Sequence, residues 1–140
     1  STVRTSSVGP DEIRKVGLAL FLLKQVGSWT AADAKGTIGD PLNHRYGYDQ
    51  NKNIISNIYT YKDPLGAGPN FEIAFGAKTD EMSAGYLYPI GINWDQVKKM
   101  WGDDVNVVKN SDGTKFYNYK NARVNVRVDK NNNVIGIVIY

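Results

Sequence analysis

The chain has no cysteine. That excludes disulfides, Cys-based zinc sites and cysteine nucleophiles. It has one histidine, His44, so no His cluster can hold a metal and no HExxH-type spacing exists. It has no long hydrophobic run: the longest, GLALFLL at 17–23, falls far short of the ~20 apolar residues of a membrane-spanning helix. Nor does it carry a dense block of one charge. The net charge is +3, yet the 17 Lys and Arg residues are scattered, and their densest group is Lys98-Lys99. A nucleic-acid footprint gathers its cations into a stripe, so nucleic acid is not an expected partner. What remains is an ordinary globular composition, 41% apolar and 22% charged, over 140 residues. That length suits one compact domain or two small fused units.

The first element opens at Pro10, with Asp11 and Glu12 in the positive first turn of a helix. Ile13, Val16, Leu20 and Leu23 recur at helical spacing, and Ala19, Leu22 and Val26 widen the stripe. Leu18 and Phe21 make the middle apolar almost all round. The pattern predicts a largely buried helix over 10–26, Leu20 included, ended by Gly27. A membrane-surface helix would need a Lys/Arg-rich polar face that is missing here. The nine residues before it, STVRTSSVG, are small and polar and are expected to be flexible.

From residue 28 onward the chain says one thing twice. TAADAKGTIGDP (30–41) aligns with NWDQVKKMWGDD (93–104), with Gly39 on Gly102, Ala34 on Val97 and Asp40 on Asp103. IYTYKD (58–63) aligns with FYNYKN (116–121), FEIAF (71–75) with VNVRV (124–128), and AGYLYP (84–89) falls where VIGIVIY (134–140) falls. Thr30 with Asp33 resembles a capping box, and Asn93 is a good N-cap. Each half reads as a short helix closed by Gly, a Tyr-x-Tyr strand, then two more strands. Strands are expected near 56–62, 70–76, 83–89, 105–109, 114–120, 122–129 and 133–140, with a further segment at 45–48. Val124, Val126 and Val128 should face one side, opposite Asn125 and Arg127, and Ile135, Ile137 and Ile139 should form one row. The fold class is therefore α+β: two tandem helix-plus-antiparallel-sheet repeats (28–90 and 91–140) forming one long curved sheet, after a flexible stretch (1–9) and an extra N-terminal helix (10–27).

Catalytic and metal signatures are thin. His44 reads as a loop histidine beside Arg45 rather than as a base. Asp40 and Asp103-Asp104 each follow a Gly at a helix end, where Asp suits the tight backbone. Asp129-Lys130-Asn131-Asn132-Asn133 has a faint calcium-loop look but lacks the alternating acids and the closing Glu. No catalytic residue, metal ligand or cofactor is expected.

The aromatic residues are the stronger signal. Three i, i+2 pairs carry it among the nine tyrosines: Tyr59 with Tyr61, Tyr86 with Tyr88, Tyr117 with Tyr119. Such pairs share one face of a strand. Either the rings line an accessible sheet face, where tyrosine is a favoured contact residue, or they fill the core under the helices. Under the first alternative Tyr59, Tyr61, Tyr86, Tyr88, Tyr117, Tyr119 and Arg127 form the partner-binding site.

The repeated pattern of helix, Ile/Trp-Gly-Asp (38–40 and 101–103), Tyr-x-Tyr strand and further strands resembles the tandem-repeat family of beta-lactamase inhibitory protein. It looks still more like secreted proteins of Gram-positive bacteria built from the same two halves; the small outer-membrane assembly lipoproteins carry one such half. The resemblance covers about 28–140. It implies a saddle-shaped sheet whose concave aromatic face grips an enzyme, and hence a non-catalytic module that binds a protein partner, a secreted or cell-wall hydrolase among the candidates. The family member named has disulfides, which this chain lacks, and its contact residues do not carry over position by position. The alternative is a module that binds a small ligand or a cell-wall polysaccharide through the tyrosine face; an enzyme ranks last. The start at Ser1, the loose leading stretch and the lack of cysteine fit a removed signal peptide and an extracellular or cell-envelope location.

Overall fold

The computed structural model describes residues 10–63 and 69–140. The flexible stretch expected at 1–9, and all but the ends of the Gly/Pro loop at 63–69, lie outside the described residues. Among the described residues there are three helices and one eight-stranded antiparallel sheet, an α+β arrangement. Helix α1 spans Pro10–Leu23 and α2 spans Ala31–Ile38. Four strands follow: β1 (Asn43–Tyr48), β2 (Ile54–Tyr61), β3 (Phe71–Gly76) and β4 (Met82–Leu87). Helix α3 (Trp94–Trp101) is followed by β5 (Val105–Lys109), β6 (Lys115–Tyr119), β7 (Val124–Val128) and β8 (Val134–Ile139). The order across the sheet is β1-β2-β3-β4-β8-β7-β6-β5. Two consecutive meanders thus meet where β4 pairs antiparallel with β8.

The short helices owe their ends to local chemistry. Thr30 Oγ1 accepts from the Asp33 N–H (3.2 Å) while the Asp33 carboxylate accepts from the Thr30 N–H (3.0 Å). Asn93 and Gln96 exchange the same two bonds at the start of α3, at 3.0 and 2.9 Å. Each box satisfies two amide donors that a helix N-terminus leaves unpaired. At the other end Gly39 (φ 95°) and Gly102 (φ 83°) take backbone angles that side chains resist, and each N–H bonds four residues back.

One hydrophobic cluster joins all three helices to the sheet. Val16, Leu18, Ala19 and Leu22 of α1, Ala34 of α2, and Trp94 and Val97 of α3 pack on Phe71, Ile73, Phe75, Val124, Val126, Val128, Ile137 and Ile139. These strand residues alternate along their strands, so the helices cover one face. Helix α1 lies on β4 and β8 and is tied to α3 by a Gln96-to-Glu12 side-chain bond of 3.1 Å. Two expectations about the core are corrected. Leu20 is 50% exposed, and Ile13 and Phe21 are also largely exposed, because α1 packs on the sheet through Val16, Leu18, Ala19 and Leu22 and turns these three away from it. Ile135 points outward, because the β7–β8 pairing slips between Arg127 and Val128 and puts Val134 in the core instead. Helix α1 also stops at Leu23, before Gly27, whose N–H (φ 80°) bonds to the Met82 carbonyl at 2.7 Å.

Candidate functional site

The tyrosines divide between the two faces of the sheet. Tyr61 (1% exposed) and Tyr117 (8%) lie in the core beneath the helices, and Tyr59 and Tyr119 are half-buried against the same cluster. Tyr61 stacks on Phe71, centroids 5.8 Å apart. Trp94 lies flat on Tyr117. Tyr119 donates its hydroxyl hydrogen to the Gly102 carbonyl (2.8 Å). Burial pushes the Tyr61 and Tyr119 phenols up to about 12, with the Tyr59 and Asp103 groups adding to the two shifts respectively. These four rings belong to the helix side, so the three Tyr-x-Tyr pairs do not line one accessible face. Tyr61 and Tyr117 are core residues and leave the list of contact candidates.

Tyr86, Tyr88 and Arg127 belong to the other face, over which no described helix lies. The strand registers align one row of that face across all eight strands: Asn43, Thr60, Glu72, Tyr86, Val138, Asn125, Asn118 and Asn106. Beside Tyr86 sits a small apolar group of Ile58, Ala74 and Ala84. Glu72 is the polar centre of this half. It accepts from Arg45 Nε (3.0 Å) and from the Tyr88 hydroxyl (2.7 Å). The Arg45 bond and the Tyr88 bond, working against burial, hold the Glu72 carboxyl below its ordinary value. Burial, followed by the Glu72 bond, pushes Tyr88 up to about 12, although the residue as a whole keeps 41% exposure.

The other half of the face is organised by Asn125, a buried polar residue. Its amide donates to Asn118 Oδ1 (2.6 Å), and its Oδ1 accepts from Arg127 Nε (3.3 Å). A buried amide is costly unless paired in this way. Arg127 in turn places its guanidinium 4.9 Å from the centre of the Phe116 ring, a cation–π contact that fixes an exposed side chain. Tyr140 (42% exposed) and Val108 add apolar area.

Sequence reasoning missed two features. Tyr46 and Tyr48 form a fourth i, i+2 pair, exposed on edge strand β1, and the Tyr-Gly-Tyr spacing could have shown it. Their rings continue through His44 (4.7 Å from Tyr46) to Tyr59 (4.9 Å from His44). The Arg45–Glu72–Tyr88 group had no sequence signal, since the first two are 27 residues apart. His44 stands in strand β1 rather than in a loop, and its Nε2 pairs with Asn57 Oδ1 (2.9 Å), not with a carboxylate.

The acidic candidates are occupied by structural bonds. Asp129 Oδ1 accepts from the N–H groups of Asn131 and Asn133, each at 2.9 Å. Asp49 does the same for Asn51 and Asn53 at 2.8 and 2.9 Å. Asp40 pairs with Lys35, and Asp104 with Lys120. Among the described residues no three His, Asp or Glu side chains gather into a metal-holding group, and no helix is long and apolar enough to cross a membrane. Comparison of the chain with family models, with curated proteins and with solved structures finds no match.

Proposed function

We propose that this chain is a non-catalytic, extracytoplasmic protein-binding module of the beta-lactamase inhibitory protein type, and that its partner seats on the helix-free face of the sheet. A secreted or cell-wall hydrolase, bound and inhibited, is the favoured partner class. The observation that carries the reading is the asymmetry of the sheet: one face is packed by three helices, while the other presents Tyr86, Tyr88, Tyr140 and Arg127 on eight hydrogen-bonded strands. Interface energy concentrates in tyrosine and arginine anchors on such preorganised surfaces.

The two halves are proposed to be tandem repeats of one unit. The mirrored strand order supports this, as do the matching capping boxes of α2 and α3 and the paired positive-φ residues Gly39 and Gly102. Tyr88 and Tyr140, which flank the β4–β8 seam, are equally exposed.

A second reading, a module for a small ligand or a cell-wall polysaccharide, is favoured by the exposed rings of Tyr46 and Tyr48 beside His44 and Asn57. One experiment separates the two. The immobilised protein is exposed to secreted and envelope proteins, and separately to cell-wall glycan, as wild type, as Tyr88→Ala/Arg127→Ala and as Tyr46→Ala/Tyr48→Ala. A protein retained by the wild type and lost only with the first variant supports the main reading. Glycan retained by the wild type and lost only with the second supports the alternative. Retention indifferent to both pairs of changes sinks both.

A further inference from the structure

Two pits flank α1 at corresponding places in the two halves. The first is walled by Leu18, Asp63, Pro69, Phe71 and Leu87, among others. The second is walled by Leu20, Leu23, Trp101, Tyr119, Ala122 and Val124. The registers supply the correspondence. In the β2–β3 pair Tyr61 stands opposite Phe71. In the β6–β7 pair Asn118 stands opposite Asn125, so one step along, Tyr119 stands beside Val124. The Phe71 ring stacks on Tyr61 with planes 27° apart and fills its place, leaving a pit of about 300 Å³ out to its mouth. Valine stands in the matching place of the second half, and the pit there is about 530 Å³. A ring present in one half is missing from the other.

We infer that the second pit is a binding site for a small, uncharged molecule bearing an aromatic ring, seated on Tyr119 and Val124 as Phe71 seats on Tyr61. The lining selects against charge. The Tyr119 hydroxyl is spent on the Gly102 carbonyl (2.8 Å), and Ala122, Val124, Leu20 and Leu23 offer hydrocarbon alone. Burying an unpaired charge there is costly, whereas a dry apolar cavity accepts benzene-sized guests. Trp101 and Tyr119 stand 6.2 Å apart and edge-on at 75°, so a third ring can meet one by its face and the other by its edge. Leu20 is half-exposed beside the pit and leaves it open to entry. The inference uses the correspondence of the two halves but not the protein-partner reading, since the pit lies on the helix side, away from the face proposed for the partner. Either can fail alone.

Fluorine NMR with fluorobenzene as the probe tests it, with 4-fluorobenzoate as the charged control. The wild type should shift or broaden the fluorobenzene signal saturably, and the benzoate should bind at least about tenfold more weakly. Val124→Phe supplies the ring from within, so it should abolish fluorobenzene binding while holding or raising the melting temperature. Leu20→Glu places a charge at the mouth from a half-exposed position; it should keep the fold and weaken binding by a similar factor. Absence of saturable binding by the wild type overturns the inference, as does wild-type binding by a folded Val124→Phe protein. Should Val124→Phe not fold, unchanged binding by Leu20→Glu overturns it in the same way.

Discussion

The indole of Trp94 lies on the ring of Tyr117 with centroids 3.9 Å apart and planes 4° from parallel. Tyr59, on strand β2, is not stacked under a tryptophan and leans on His44 and Phe75 instead. The β6 tyrosine is thus closed under tryptophan, while the β2 tyrosine opens an aromatic row that runs through His44 and Tyr46 to the sheet edge. Trp94 is almost fully buried. Trp94→Ala should cost about 3–5 kcal/mol, read from the shift of the urea midpoint. A loss below about 0.5 kcal/mol would place the stack outside the cooperative core.

Helix α1 makes a paired prediction. Leu22 is buried to the last atom while Leu20 stands half in solvent, two residues away. Leu22→Ala should cost about 2–5 kcal/mol. Leu20→Ala should change stability by about 0.5 kcal/mol or less. Thermal and chemical unfolding of the two variants side by side test the helix register; equal losses would contradict it.

How far the sequence could be read follows the range of the interactions. The boundaries of α2 and α3 were legible because Thr30 with Asp33, Asn93 with Gln96, and the two glycines act within one turn. The alternation of Val124, Val126 and Val128 was legible for the same reason. The period of two says that Tyr59 and Tyr61 share a face, but not which face; that is decided by helices tens of residues away. In α1 an apolar residue stands at nearly every angle, so periodicity could not pick the stripe that meets the sheet. Ile135 turned outward because of a bulge that no residue type announces. Tyr46 and Tyr48 stand in a stretch that reads as polar, although their spacing matches that of the other pairs. The Glu72 group joins β1, β3 and the segment after β4, so it exists only after the strands have paired.

Glu72 gives a prediction at acid pH. Its folded pKa lies below the ordinary value of about 4.3. A lowered carboxyl contributes stability that is complete above the unfolded pKa and is lost as pH falls through the folded one. Stability from this group should thus be flat from neutral pH to about 5 and decline below about 4. Glu72→Gln should make that acid decline shallower, measured as the urea midpoint against pH. An unchanged slope would mean that Arg45 and Tyr88 do not favour the charged form.

Tyrosine ionisation gives the alkaline counterpart. Tyr61, Tyr88 and Tyr119 are each pushed up to about 12, chiefly by burial. Their folded pKa values exceed the unfolded one of about 10, so their contribution is complete below about 10 and fades as pH rises through about 12. Ultraviolet titration of the folded protein should show a late step near pH 12 to which these three phenols contribute. Tyr88→Phe should reduce that step by one phenol. The stability curve should bend downward over the same alkaline interval.

The face proposed for the partner gives the last prediction, because it separates proposed contact residues from core residues that look alike in sequence. Tyr88 and Arg127 are exposed on the helix-free side, and each is held in place, by Glu72 and by Phe116. A side chain already fixed loses little freedom on binding, so its contact area is realised as affinity. Tyr88→Ala and Arg127→Ala should each weaken binding of an identified protein partner by about 2 kcal/mol or more. Both should leave the melting temperature nearly unchanged, since neither ring nor guanidinium fills the core. Tyr61→Ala should do the opposite: it removes a fully buried ring stacked on Phe71, so it should cost about 3–5 kcal/mol of stability and affect binding only through unfolding. Calorimetric titration of the three variants, at a temperature where each is folded, decides the matter. If Tyr88→Ala and Arg127→Ala both bind as the wild type does, the partner does not sit on this face.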